Sequence, residues 1–249
     1  MNFADTVIVI TGCGSGIGRG LAAGFCREGA SVVGIGRTAV DLEATAVDFG
    51  KGRMNYVVGD VSRAEDVARL FGEAERLYSR VDVLINNAAL YPKELFLDSD
   101  IERWVEALEV NVGGIARCCH RALPGMLQRG HGRIINVGSF AWRDPILRSS
   151  AYSTSKAAVR TLTQSIAREV DRFRFPDVLV NEWLPGIFNT RMTPDAGEDP
   201  MTAYEGARLV ASLPSGGPHG EVFLRDRMLE EPVGLKVRVK RAVRKLLST

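Results

Sequence analysis

The junction near the start of the chain constrains its fold more than any other feature. Thr6-Val7-Ile8-Val9-Ile10 is an apolar, β-branched run, and it passes without a spacer into Thr11-Gly12-Cys13-Gly14-Ser15-Gly16-Ile17-Gly18. Beyond the glycines the apolar residues take up helical spacing as far as about Glu28. A strand, a glycine turn and a helix in that order open a βαβ unit, which needs a parallel sheet with helices on both faces. Glycines here let the backbone turn sharply and approach a pyrophosphate, whose charge is met by the helix N-terminus. Gly12, Ser15, Gly16, Ile17 and Gly18 are therefore candidate cofactor contacts. A tight turn with no ligand is the alternative, and four glycines within residues 12–18 weigh against it. The spacing is Thr-Gly-x-x-x-Gly-x-Gly, a longer turn than the common G-x-G-x-x-G.

The alternation continues. Strands are expected at residues 31–35, 55–58, 81–85, 133–137 and 178–183, with a short closing strand at 220–224. Helices are expected at about 17–28, 40–49, 64–78, 101–126 and 151–173. The economical reading is α/β: one Rossmann-type, doubly wound parallel sheet of about seven strands over residues 1–228. A substrate loop is expected near 190–215, where Pro, Gly and acidic residues gather. Residues 229–249 read as a basic, helical tail.

Lys and Arg number 32 against 30 Asp and Glu, so bulk charge gives no reason to expect nucleic acid. The basic excess is local, in Lys236, Arg238, Lys240, Arg241, Arg244 and Lys245. Packing of this tail on the body is expected; contact with an anionic membrane surface is the alternative. Cys13, Cys26, Cys118 and Cys119 form no C-x-x-C pair and have no His at metal-ligand spacing, so no metal site is expected. Reduced thiols fit a cytoplasmic setting. No signal peptide or membrane span is expected.

The end of the second strand should meet the adenosine ribose. An acidic residue there would bond the 2′-hydroxyl, whereas an arginine accepts a 2′-phosphate. Gly36-Arg37-Thr38 stands at that place, with no carboxylate before Asp41, so NADP(H) is expected over NAD(H). Arg37 as solvated surface is the alternative. Asp60, followed by Val61, could bond the adenine or cap the next helix, and both roles stay open. Asn87 and Ala88 follow the fourth strand, where small residues leave room for a cofactor.

Tyr152-Ser153-Thr154-Ser155-Lys156 opens a helix, and a spacing of four puts phenol and ammonium on one face. A phenol with a pKa near 10 is a poor base at neutral pH, and a nearby cation should lower it. Alone, this spacing is weak. Ser139 ends strand five, and the loop after it can return its hydroxyl to the phenol to polarise a carbonyl. Asn111, mid-helix and followed by Gly113-Gly114, suggests a kink or a bound water.

The order of Thr11–Gly18, Asn86-Asn87-Ala88, Asn111, Ser139, Tyr152 with Lys156, and Pro185-Gly186 with Thr190 resembles the short-chain dehydrogenase/reductase family from about Thr6 to Leu224. The resemblance implies an oxidoreductase acting on a small carbonyl or alcohol, with Asn111, Ser139, Tyr152 and Lys156 as a tetrad. In it Tyr152 is the acid/base, and Asn111 holds a water in a relay to Lys156. It also implies that Ile187 and Thr190, after Pro185 and Gly186, hold the carboxamide end of the nicotinamide. Ala89 stands where the family usually has glycine. The segment Gly220 to Arg227 lacks the Asp-Gly-Gly ending common in the family's tetramers, so a homodimer through the long helices is expected instead. A non-catalytic dinucleotide-binding sensor is the competing class, as is an NAD-preferring alcohol dehydrogenase. Tyr91, Phe96, Ala141, Trp142, Ile146, Trp183, Phe188 and Met192 are expected around a partly apolar mouth, with Arg143, Arg148 and Arg191 nearby.

Overall fold

Four segments are buried at every position: β1 (Val7–Thr11), β4 (Val83–Asn86), β5 (Gly132–Val137) and β6 (Val178–Leu184). A strand with no solvent-facing side must be covered on both faces, and the apolar runs in these segments supply that demand. With β2 (Ser31–Gly36), β3 (Met54–Val58), β7 (Val222–Leu224) and β8 (Arg227–Met228) they form one sheet, in the order β3-β2-β1-β4-β5-β6-β7-β8. Pairings are parallel except the last, where β8 turns back on β7. The computed structural model describes residues 3–48 and 53–230, and the basic segment expected as a helical tail lies outside them beyond residue 230.

The helices are α1 (Gly16–Arg27), α2 (Ala39–Val47), α3 (Ala64–Tyr78), α4 (Ile101–Leu108), α5 (Gly114–Arg129), α6 (Ser150–Glu169) and α7 (Tyr204–Ala211). Two apolar cores lie on opposite faces of the sheet. Ile8 and Ile10 pack with Leu21, Phe25 and Tyr204 under α1 and α7, whereas Val9 packs with Leu70, Met126 and Val159 under α3, α5 and α6. The two-residue period of β1 thus feeds both faces.

Several expectations shift. The sheet has eight strands among the described residues, because Arg225 takes a left-handed turn (φ 54°) that lets Arg227–Met228 pair back. Two residues carry no periodicity to read. The single helix expected at 101–126 is α4 and α5 joined by a π-helical turn, Glu109–Gly113, which contains Asn111. That is the interruption the misfit Asn suggested. The helix expected to reach 173 stops at Glu169, since Asp171 accepts from the backbone N–H groups of Phe173 and Arg174 and starts a turn. Part of the expected substrate loop is helix: Tyr204, Ala207, Val210 and Ala211 share a buried face of α7.

Candidate active site

The sheet order reverses between β1 and β4, which opens a crevice at their C-terminal ends. Thr11 fixes its floor. Its hydroxyl accepts from the backbone N–H groups of Asn87 (2.9 Å) and Ala88 (3.0 Å). Asn87 in turn donates its amide to the carbonyls of Thr11 (3.0 Å) and Gly12 (3.2 Å). Gly12 has φ 69°, and a Cβ there would lie 2.9 Å from Ala88 Cα. A Cβ at Gly18 would overlap the Gly12 carbonyl oxygen. The glycines are spent on backbone meeting backbone, so the expected tight turn is present. Ser15 is the N-cap of α1, but its side chain makes no capping bond. The first N–H groups of that helix therefore face the crevice with a free hydroxyl beside them. Ile17 is partly buried on the first turn, packed against the core.

Beyond β2, Arg37 and Thr38 are exposed, and Arg37 makes no ion pair with any described residue. Asp41 is differently placed. Its side chain packs beside Gly14, and Arg191 grips it with two hydrogen bonds of 2.7 and 2.9 Å. Those bonds hold the Asp41 carboxyl below the usual range. Arg191 is thus committed to Asp41 rather than free at the mouth. Asp60 Oδ1 accepts from the Ser62 N–H and hydroxyl, both at 2.8 Å, in an Asx turn ahead of α3. Val61 is buried against Gly114 of α5.

At the end of β5, Ser139 opens a short 3₁₀ turn, Phe140–Trp142, and its hydroxyl accepts from the Ala141 N–H at 3.2 Å. Tyr152 and Lys156 lie one turn apart near the start of α6, with the Lys156 nitrogen 5.3 Å from the Tyr152 ring centre. Lys156 is buried and donates to the Val137 carbonyl at 2.7 Å. Burial pulls its ammonium down to about 8, and the Glu182 carboxylate works against that fall. The Tyr152 phenol is pushed up to about 12 by burial; the Ser139 hydroxyl lowers it and Tyr91 raises it further. The phenol is raised where the lysine spacing led to an expected fall, because burial removes the water that the charged form needs. Tyr91 packs tilted against Tyr152 with ring centres 4.4 Å apart, and the Ser149 hydroxyl donates to its oxygen at 3.0 Å.

Asn111 is wholly buried in the π-helical turn. Its Oδ1 accepts from the Leu90 N–H at 2.7 Å, and its amide donates to the Leu90 carbonyl and the Ser155 hydroxyl, each at 2.9 Å. The side chain ties the segment after β4 to α6. Both amide hydrogens are committed, so a water held by this residue would have to meet an oxygen.

Pro185 is buried at the end of β6 and Gly186 turns the chain at φ 99°. Ile187 is 60% exposed. Thr190 folds on itself, its hydroxyl accepting from the Met192 and Thr193 N–H groups, and its methyl group lies 3.0 Å from where a Cβ on Gly16 would stand. The segment therefore lies over the glycine turn. Trp183 and Phe188 do not line the mouth. Trp183 is 1% exposed in the core with its Nε1 donating to the Arg225 carbonyl at 2.9 Å, and Phe188 is buried in the same core. Trp183 is turned inward by its parity in β6, whereas Phe188 lies beyond the end of that strand. Phe96, Ile146, Arg143 and Arg148 are exposed, whereas Ala141 is buried.

Two supporting residues escaped the sequence reading. Thr11 opens the glycine motif, but its tie to Asn87 and Ala88 spans 76 and 77 positions, and Asn136 stands inside the apolar run from Ile134 to Val137. Asn136 accepts from Asn86 at 2.8 Å and donates to Thr163 at 2.9 Å, joining β4, β5 and α6. The signal was there, since an amide inside a fully buried strand needs a partner.

A family model described as short chain dehydrogenase matches residues 6–201. The chain belongs to the short-chain dehydrogenase family. An uncharacterized oxidoreductase of Staphylococcus aureus strain USA300 is 33% identical over 189 residues, which cover 76% of this chain and 80% of that protein. One from Staphylococcus saprophyticus is 30% identical over 230 residues, 89% of this chain and 97% of the relative. A solved structure described as a short chain dehydrogenase/reductase family protein has a TM-score of 0.80 at 30% identity, covering 90% of this chain and 97% of its own. The chain is thus an oxidoreductase of CH–OH and C=O groups with a nicotinamide dinucleotide cofactor and a small-molecule substrate.

Proposed function

We propose that this member of the family catalyses reversible carbonyl reduction with NADP(H), with Tyr152 as the acid/base. One observation carries the reading: Ser139, Tyr152 and Lys156 meet at the end of β5, across the strand reversal from the glycine turn. The crevice fits a dinucleotide, since the N-terminus of α1 opens there without a side-chain cap, beside a turn that the glycines keep tight. Gly12, Ser15, Gly16, Ile17 and Gly18 would hold the pyrophosphate, Arg37 and Thr38 a 2′-phosphate, and Asp60 and Val61 the adenine. Asn87, Ala88, Tyr152 and Lys156 would hold the ribose and nicotinamide from below, and Pro185, Gly186, Ile187 and Thr190 the carboxamide. When bound, the nicotinamide supplies or takes up the hydride.

Tyr152, neutral at physiological pH, donates its proton to the carbonyl oxygen in the reducing direction while Ser139 steadies that oxygen. Lys156 places positive charge beside the phenolate left behind, and Asn111 fixes the segment that carries Tyr91. Tyr152→Phe should lower turnover on a verified carbonyl substrate by at least about 100-fold. Near-native turnover would remove the acid/base role.

NADP(H) preference is supported by an exposed Arg37 without an ion-pair partner among the described residues and by an Asp41 already neutralised by Arg191. Arg37→Ala should weaken NADPH use by about 10- to 100-fold and leave NADH use nearly unaltered, in keeping with loss of a charge-assisted bond. Equal or better use of NADH by the unaltered protein would overturn the preference. A homodimer through α4 and its neighbours is supported by Ile101 and Val105, which are 54% and 45% exposed. A cytoplasmic setting suits cysteines that are all free.

A further inference from the structure

A row of buried polar residues crosses the sheet beneath α6. Asn86 pairs in register with Asn136, and Asn136 with Glu182, and the three are no more than 2% exposed. They face the inner side of α6, where Thr163, Arg160 and Lys156 descend toward the crevice. Asn136 meets Thr163, and Glu182 Oε2 lies 3.7 Å from Arg160 Nε. Glu182 is the one charged member of the row. Its carboxylate lies against Gly138, where any Cβ would overlap it. Gly138 follows Val137, whose carbonyl receives the Lys156 ammonium. The carboxylate is therefore lodged one residue from the point where the lysine docks.

We propose that Glu182 is a positioning residue: a buried counter-charge, admitted by Gly138, that keeps Lys156 an ammonium and docked on the Val137 carbonyl. A buried amine without an opposite charge loses its proton, because the charged form has no water to stabilise it. Burial pulls Lys156 down, and Glu182 is the group that opposes the fall. The other ionisable neighbours do not serve. Arg160, one turn along α6, has the same sign as the lysine, and it also donates to the Gly220 carbonyl at 3.0 Å. Tyr152 is held neutral, as its phenol is pushed up to about 12. Tyr91 stands beyond Tyr152, and His219 and Glu221 line a cavity on the far side of Arg160. One carboxylate thus serves two cations on successive turns of one helix.

The inference rests on the catalytic reading of Lys156 for its consequence in turnover, whereas the charge state is a property of the unliganded protein. The test is the pKa of the Lys156 ε-amine in the full chain without ligand, followed by lysine ε-carbon NMR and assigned with Lys156→Arg. Glu182→Gln should lower that pKa by about 1–3 units, the usual effect of losing a nearby opposite charge. Gly138→Ala, which displaces the carboxylate, should move it the same way. A folded Glu182→Gln protein with an unshifted Lys156 would overturn the proposal and leave Glu182 as Arg160's partner alone. If Glu182→Gln does not fold, Gly138→Ala decides it, and an unshifted lysine in that protein overturns it. A shifted lysine in a protein whose turnover keeps its pH profile supports the counter-charge and counts against the catalytic reading instead.

Discussion

On the floor of the crevice, Thr11 and Asn87 make four hydrogen bonds to the backbone between them, and two glycines have no room for a side chain. The segment that crosses above, residues 186–200, is tied by exposed ion pairs: Arg191 to Asp41 at 2.7 Å and Arg225 to Glu198 at 2.5 Å. The floor is neutral, shielded and made of short-range partners whose geometry has one solution. The cover is anchored in the core by Phe188 but is otherwise charged and solvated, with ion pairs between long side chains as its polar ties. Bonds of the first kind are expensive to break because a buried group is left without a partner; those of the second kind are weak and screened by salt. A groove that must grip a dinucleotide yet admit and release it has use for both.

The largest expected effect lies on the floor. Gly18→Ala drives a methyl group into the Gly12 carbonyl oxygen and the Asn87 amide, and the obstacle is backbone that cannot swing aside. Overpacking of this kind costs about 1–3 kcal/mol, and the upper end applies where nothing can yield. NADPH affinity, read by fluorescence titration, should fall by about 100-fold, the equivalent of that cost. Native affinity would mean that the floor relaxes as easily as the cover, and the contrast would be lost.

Asn111 comes next, and it also marks how far the sequence was legible. A lone Asn before two glycines suggested an interruption in a long helix, and the π-helical turn is that interruption. Its partners were not legible, since Leu90 and Ser155 are 21 and 44 positions away and only the folded sheet brings them together. The same division runs through the site. The glycine turn and the Tyr152–Lys156 pair were readable because sequence neighbours make them, through a tight turn and one turn of helix. Arg191 on Asp41, Glu182 under Lys156 and the inward face of Trp183 depend on strand order, which local spacing does not encode. Asn111→Ala leaves the Leu90 N–H and carbonyl without partners and should destabilise by about 1–3 kcal/mol. Thermal unfolding should show Tm lower by about 2–4 °C for each kcal/mol lost in a chain of this size. An unchanged Tm would show that this tie is no firmer than those of the cover.

The smallest effect should come from Arg191→Ala. Both partners of this pair are near the surface, Arg191 with 75% of its side chain exposed, so its loss should leave Tm unmoved. What it leaves is an Asp41 carboxylate, no longer neutralised, beside Gly14 and four residues from Arg37. That charge repels the phosphates the turn is read as holding. NADPH affinity should fall by about two- to fivefold at low ionic strength, the range of a single exposed charge, and the difference should shrink as salt is raised. Asp41→Ala in the same protein should restore affinity, since it removes the charge that Arg191 had masked. A loss that ignores salt, or one accompanied by a clear drop in Tm, would place Arg191 among the buried ties of the floor and erase the distinction between the two walls.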